Sequence, residues 1–572
     1  MTGSGGAVRP TDERPWLKSY PKEVTWDQTF EASPLGSLID EAAAEYPDLN
    51  HIDFLGRKFT YRETLDLASR GAKGFQQLGL KPGARVGIFM PNCPQYVYLF
   101  FAILKAGGTV VNLSPLYSRT ELEHQIADSG VEIIVTINLK WVFSKIEPLI
   151  SDGLVKKVVF CRLEDGLGTG KGLAFRLFKG RHRARMPDHP AYSSEQTLLA
   201  NDGAFEPVDI EPHTDIAVLQ YTGGTTGLPK GAMLSHANIT INLRQALAWE
   251  YQLQTGTARF LAVLPLFHAY AMTIILCGCT ALAGEIILLL KFEAGEALNT
   301  IRRTRPDFLP TVPTILTAFL SEPGFRADDL SSVTACLSGG APLAEDLRSR
   351  VNAVLADTAV REGYGLTETS PIAIAEPASG LSKPGTVGLP VPGTEVFITD
   401  PEDPAKALGT GEIGEICLAG PQIMQGYWQH PKETAQAIGL GWLRTGDLGY
   451  LDEDGFLFVV DRIKDMIIVG GLNVYPRIIE EAIFEHPEVV SAAVIGLADD
   501  YLGEAPVAFV VRNEGSELDE PGLLAFLADR IGKHEMPRSV TFRTSLPETM
   551  VGKVDKKALV AELDAKAAKF PK

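Results

Sequence analysis

The chain has 572 residues, of which 45% are hydrophobic and 22% charged, with a formal net charge of -18 at pH 7. One hydrophobic core stops growing near roughly 250 to 300 residues, so this length requires at least two domains. The acidic balance excludes a nucleic-acid-binding protein, which needs a basic face to displace counterions from phosphates.

Residues 1–24 mix Gly, Pro and charges without the apolar stretch of a secretory leader and read as a loose N-terminal arm. Amphipathic stretches at 61–78 and 95–105 then alternate with short apolar, β-branched runs at 85–90, 109–113, 132–137 and 155–160, the pattern of α/β units around parallel sheets. The run Gly166-Leu-Gly-Thr-Gly-Lys-Gly172 matches neither Walker A nor dinucleotide spacing and reads as a loop. Residues 171–186 carry Lys171, Arg176, Lys179, Arg181, Arg183 and Arg185 without one acid, interleaved with Leu173, Phe175, Leu177 and Phe178. A solvated surface insertion and an amphipathic contact with a membrane surface both fit that composition.

The apolar strand at 216–219 leads into Tyr221-Thr-Gly-Gly-Thr-Thr-Gly-Leu-Pro-Lys-Gly231. Glycines let a backbone approach an anion closely, while N–H groups, the hydroxyls of Thr222, Thr225 and Thr226 and the Lys230 ammonium supply donors and charge. A phosphate cradle fits. It is not a Walker A loop, because Leu228 and Pro229 separate Gly227 from Lys230.

Residues 269–290 form the most hydrophobic window, but Gly278, Gly284 and Glu285 interrupt it, and a mid-span carboxylate is costly in a bilayer. A buried helix followed by a core strand at 285–290 is the expectation. From 396 to 461 the texture changes to strands separated by Gly, Pro and Asp turns, a small β subdomain. A new α/β alternation begins after Asp461. The six cysteines lack metal-ligand spacing and read as reduced thiols of a cytosolic protein.

Further motifs follow in order: Leu337-Ser-Gly-Gly-Ala-Pro-Leu343, Gly363-Tyr-Gly-Leu-Thr-Glu-Thr-Ser-Pro371, Trp442-Leu-Arg-Thr-Gly-Asp-Leu-Gly449, Asp461-Arg-Ile-Lys-Asp-Met-Ile467 and Gly552-Lys553. With the Gly/Thr loop, the chain resembles the adenylate-forming superfamily, within it the acyl-CoA synthetase and long-chain fatty acid–CoA ligase branch, from about Thr25 to about Val560. The resemblance implies an α/β fold: a large N-terminal domain over 25–461, including the β subdomain at about 396–461, a hinge at 462–465 centred on Lys464, and a small mobile α+β C-terminal domain over 466–572.

It also implies site roles. Thr222, Gly223, Gly224, Thr225, Thr226 and Lys230 would cradle the phosphates of ATP. Gly339, Gly340, Ala341 and Pro342 would line one side of the adenine, and Glu362, Gly363, Tyr364, Gly365, Leu366 and Thr367 the other, with the Tyr364 ring covering the base. Glu368 would ligate Mg²⁺, Asp447 would accept the ribose hydroxyls and Arg462 would reach the ribose or α-phosphate. Lys553 would bridge the substrate carboxylate and the α-phosphate; Lys553, Glu368 and Thr222 are the catalytic set. His268 and Tyr270, in Leu264-Pro-Leu-Phe-His-Ala-Tyr270, are candidate acyl-site walls. Gly470 and Gly471 would line a channel for coenzyme A, although Val469 stands where the family commonly has Ser.

The expected reaction is ATP-dependent activation of a medium- or long-chain fatty acid as acyl-AMP, with acyl transfer to coenzyme A. A dicarboxylate- or aryl-CoA ligase, a stand-alone adenylating enzyme serving a carrier protein and a luciferase-like oxygenase are alternatives. An esterase is excluded because no GxSxG occurs. The expected partners are the carboxylic acid, ATP and coenzyme A, without nucleic acid. The expected location is the cytoplasm, peripheral at the inner membrane face if residues 171–186 meet lipid; a monomer or a homodimer stays open.

Overall fold

The computed structural model describes residues 13–178, 180–222, 229–356, 358–470, 472–499, 502–547 and 554–569. Among these, two large sheets form the body. The seven-stranded sheet is parallel from Tyr192–Ser194 through Lys157–Cys161, Ile133–Ile137, Arg85–Phe89 and Thr109–Asn112 to Ile216–Thr222, and ends on the antiparallel edge strand Lys230–Ser235. The nine-stranded sheet has a parallel centre, with Val360–Tyr364, Ala335–Ser338, Phe308–Thr311 and Arg259–Ala262 in sequence across it. Ile133–Ile137 and Thr109–Asn112 are buried at every position, which is why they appear in the sequence as continuous apolar runs rather than alternating ones: both faces of a parallel sheet are covered.

Four antiparallel strands, Glu395–Thr399, Gly414–Ala419, Leu443–Leu451 and Leu457–Arg462, make the small β sheet. One apolar core runs from Trp16 to Leu457, and separate cores begin at Ile467. The small C-terminal domain builds its own five-stranded sheet around Val489–Asp499 and Gly503–Arg512. The α/β fold with a large N-terminal and a small C-terminal domain is as expected.

Two expectations change. Residues 13–24 are not a loose arm: Trp16 is buried, the Tyr20 hydroxyl donates to the Pro390 carbonyl at 2.8 Å, and Arg14 pairs with Glu395 at 2.7 Å. Apolar burial of one tryptophan holds a segment that composition alone makes look unstructured. The glycine run at 166–172 is not a loop throughout, since a helix starts at Thr169 and continues to Phe178. The apolar window at 269–290 is, as expected, a buried helix, here the π-helix Ala271–Gly278, followed by the core strand Glu285–Leu288. No helix among the described residues is long and apolar enough to cross a membrane.

Candidate active site

Thr222 ends its strand opposite Lys230 in antiparallel register at the sheet edge. Gly223, Gly224, Thr225 and Thr226 lie outside the described residues. The outer side of Lys230–Ser235 is taken by a later segment: Met233 N–H donates to the Gly426 carbonyl at 2.8 Å, Gln425 N–H to Met233 at 2.9 Å and Trp428 N–H to Gly231 at 2.8 Å. This pairing sets the Lys230 ammonium 5.0 Å from the Tyr427 ring centre, a cation–π distance. The Tyr427 hydroxyl donates to Glu368 Oε1 at 2.7 Å, and Met424 N–H donates to the Glu368 carbonyl at 2.8 Å. Burial pushes the Glu368 carboxyl above its ordinary range and the Tyr427 hydrogen bond pulls it back. Sequence reasoning missed Tyr427; an aromatic beside a turn glycine carries no local mark of a partner 59 residues away.

The other side of the site lies at the carboxyl ends of two neighbouring parallel strands, where ligands of open α/β sheets bind. After Ala335–Ser338 the chain turns through Gly339 and Gly340, the latter at φ +76°, which a side chain would strain. Half-buried Ala341 and exposed Pro342 continue it. Tyr270 lies under this turn: its hydroxyl donates to the Leu337 carbonyl at 2.8 Å and its ring edge is 3.4 Å from where a Cβ on Gly339 would sit. His268 precedes it at the head of the π-helix, with its carbonyl accepting from Met272 N–H at 2.9 Å.

Beyond Val360–Tyr364, Gly365 has no room for a side chain, since a Cβ would lie 1.9 Å from the Pro371 oxygen. Leu366 N–H donates to Thr369 Oγ1 at 2.9 Å, which fixes the short 3₁₀ turn Thr367–Thr369 that carries Glu368. Half-buried Gly363 pairs with Ala375. The Tyr364 hydroxyl donates to Asp447 Oδ2 at 2.7 Å, and Arg462 Nε lies 3.2 Å from Asp447 Oδ1. Asp447 and Arg462 face each other across two strands of the small sheet, so its register explains a meeting of residues far apart in the chain.

Glu362 goes elsewhere. Its carboxyl lies 3.3 Å from Arg348 Nη2, while Glu376 Oε2 accepts from Arg348 Nη1 and from Glu362 N–H at 2.7 Å each. Burial pushes Glu362 up to about 7, against the pull of Arg477 and Arg348. Its side chain belongs to this buried ionic cluster.

At the boundary, Ile463 N–H donates to the Gly446 carbonyl at 2.9 Å. Desolvation and the Arg462 guanidinium pull the Lys464 ammonium down to about 8. Gly470 adopts φ +58°, and its N–H donates to the Leu502 carbonyl at 2.8 Å. Gly471 and Lys553 lie outside the described residues.

Lys230 beside Tyr427 and Glu368, Tyr364 at the end of a parallel strand, and Asp447 and Arg462 paired across the small antiparallel sheet form a site that suits an adenine nucleotide in an α/β enzyme. The chain belongs to the AMP-binding enzyme family: residues 39–428 match the AMP-binding enzyme and residues 478–553 its C-terminal domain. It is 38% identical over 553 residues to a long-chain-fatty-acid–CoA ligase of Bacillus subtilis, covering 96% of this chain and 98% of that one. A long-chain-fatty-acid–CoA ligase of Escherichia coli O157:H7 is 36% identical over 559 residues, with 96% and 98% covered. Among solved structures, ATP-bound MatB from Rhodopseudomonas palustris superposes with a TM-score of 0.81 at 30% identity, over 93% of this chain and 99% of that one.

Proposed function

We propose that the protein is an AMP-forming acid–thiol ligase that activates a medium- or long-chain fatty acid with ATP and passes the acyl group to coenzyme A. The observation that carries this reading is likeness over 96% of the chain to ligases named for long-chain fatty acids. In the first half-reaction a carboxylate oxygen attacks the α-phosphorus, the bond to the β-phosphate oxygen breaks and pyrophosphate leaves. In the second, the thiol sulfur attacks the acyl carbon, AMP departs and the thiol proton goes to solvent or a nearby base.

Thr222 to Thr226 and Lys230 hold the phosphates, Tyr364 and residues 339–342 sandwich the adenine, and Asp447 with Arg462 takes the ribose and α-phosphate. Glu368 fits Mg²⁺: it is a half-buried carboxylate with Oε1 fixed by Tyr427, and Mg²⁺ takes few protein ligands beside substrate phosphates and water. When bound, the ion neutralises the leaving pyrophosphate. Lys553 offsets repulsion between carboxylate and α-phosphate. Rotation about Lys464 within 462–465 then withdraws Lys553 and brings Gly470 and Gly471 to the site as the thiol channel. Six buried, unpaired cysteines suit a reducing compartment, and we place the reaction in the cytoplasm.

His268 and Tyr270 wall the acyl site. Beneath the turn that follows Leu337 lies an apolar seam lined by Leu243, Ala246, Trp249, Ile274, Phe308 and Leu337, with about 10 Å³ of free space. That is room for about one water, so an acyl group of any kind enters there only if the seam parts.

The deciding experiment is pyrophosphate release across aliphatic, aromatic and dicarboxylic acids, with and without coenzyme A, and the thioester verified by mass. Acyl-AMP without any thioester would overturn the ligase reading, and turnover of short or aromatic acids alone would overturn the fatty acid.

A further inference from the structure

Glu250 follows the helix His236–Trp249 and closes its last turn, its N–H donating to the Ala246 carbonyl at 2.9 Å. Burial and the negative end of the helix dipole both work against a carboxylate at that place. Its partner is Arg361, whose Nη2 donates to Glu250 Oε2 at 2.5 Å, with the two side chains 8% and 5% exposed. The neighbouring carboxylates of Glu362 and Glu376 are taken by Arg348. The Glu250–Arg361 pair is incomplete: Glu250 Oε1 and Arg361 Nη1 are sealed from solvent, and neither has a hydrogen-bond partner among the described residues. A buried ion pair serves stability only when its remaining lone pairs and protons are satisfied, and an orphaned polar atom keeps its full desolvation cost.

The pair lies at the apolar seam beneath the turn that follows Leu337. Glu250 lines that seam with Leu243, Ala246, Trp249, Ile274 and Leu337. Arg361 stands opposite Leu337 in parallel register, so the two side chains leave the sheet on the same face. Tyr270, the proposed acyl-site wall, hydrogen-bonds the Leu337 carbonyl and lies close to both charges: burial raises its hydroxyl, and among the smaller causes Glu250 raises it further while Arg361 lowers it. Ile274 belongs to the π-helix Ala271–Gly278, a widened helical turn of the kind that recurs at functional sites.

We propose that Glu250 and Arg361 form the specificity-determining floor of the acyl site and receive an acid that carries a hydroxyl at its far end. This rests on the ligase reading with an aliphatic acid. One hydroxyl satisfies both orphaned atoms, donating to Glu250 Oε1 and accepting from Arg361 Nη1. A second carboxylate would meet the like charge of Glu250, and an ammonium that of Arg361. A carbonyl donates nothing and leaves Oε1 unpaired. A terminal methyl leaves both atoms unpaired, and a site built to bond a hydroxyl discriminates strongly against the analogue that lacks it. Among neutral groups that both give and accept, a hydroxyl is the smallest, which suits a seam with about 10 Å³ of free space.

The test compares kcat/KM of the full-length protein for straight-chain acids from hexanoic to hexadecanoic with the same acids hydroxylated at the terminal carbon. The hydroxyl is expected to raise kcat/KM by about tenfold or more, and only at the chain length that places it between Glu250 and Arg361. Glu250→Leu with Arg361→Leu removes both charges together, a replacement that buried ion pairs tolerate, and is expected to bring the ratio of the two kcat/KM values at that length to about one or below. A ratio read within each protein cancels any general loss of activity, and the wild-type comparison stands even where the double variant does not fold. Methyl-terminated acids used as well as their hydroxylated counterparts at every length, a gain that is uniform over all lengths, or a double variant that keeps the preference would each overturn the proposal and leave the ligase reading intact. Activity with no aliphatic acid of either kind would overturn the fatty-acid reading and the proposal with it.

Discussion

Asp461 Oδ2 accepts the backbone N–H of Arg477 at 2.8 Å while its Oδ1 accepts that of Arg462 at 2.7 Å. Asp461 ends the small sheet of the large domain, and Arg477 lies in the first turn of the C-terminal helix Pro476–Phe484, which has no side-chain cap of its own. One carboxylate therefore caps that helix from across the boundary. Losing a cap costs about 1 kcal/mol. Asp461→Ala should speed tryptic cleavage at Lys464 and shift the ratio of the two half-reaction rates by about fivefold. Unchanged cleavage at Lys464 would show that this contact does not hold the domain.

The Tyr364 hydroxyl and Asp447 carboxylate form a charge-assisted hydrogen bond, a type that contributes about 1.5 to 3 kcal/mol. Tyr364→Phe keeps the ring that we propose covers the adenine and leaves Asp447 to Arg462 alone. The KM for ATP should rise roughly tenfold with a small change in kcat. A wild-type KM would mean that Asp447 is held without the hydroxyl.

The Tyr427 hydrogen bond favours the ionised form of Glu368 while burial, the larger effect, raises its carboxyl above the ordinary range. Tyr427→Phe preserves the ring under Lys230 but removes the hydrogen bond that lowers the Glu368 pKa, so the carboxyl protonates at higher pH. A protonated Glu368 is a poor Mg²⁺ ligand. The acid limb of the adenylation pH–rate profile should move to higher pH, and the Mg²⁺ concentration for half-maximal rate should increase. A profile that stays in place would separate Tyr427 from the chemistry.

Stability should also depend on pH through Glu195. Burial pushes its carboxyl up to about 7 from an ordinary 4.5, against a hydrogen bond donated by the Tyr98 hydroxyl. The folded chain keeps this proton to about pH 7 and the unfolded chain loses it near 4.5, so stability falls as pH rises through that window. Glu195→Gln cannot ionise. Its stability relative to wild type should improve between pH 4.5 and 7, by on the order of 1 to 3 kcal/mol, and stay level above. Denaturant unfolding at pH 5 and pH 8 measures this; a constant difference would place an ionised Glu195 in the fold at both.

Amphipathic helices, buried parallel strands and the Gly/Thr loop between an apolar strand and Lys230 are legible along the chain, because periodicity and glycine placement are properties of neighbouring residues. That is why 61–78 was expected as a helix and Tyr61–Gln77 forms one, and why the ordered motifs already pointed to an adenylate-binding enzyme. Only the tertiary structure decided that Tyr427 supports Glu368, that Glu362 turns into a cluster with Arg348 and Glu376, that Trp16 ties down the N-terminal segment, and which arginines of 171–186 remain exposed. Each of these depends on which side chains packing brings within hydrogen-bond reach or seals from water, and for residues as far apart as Tyr364 and Asp447 that is set by sheet register and domain packing, which no local pattern encodes.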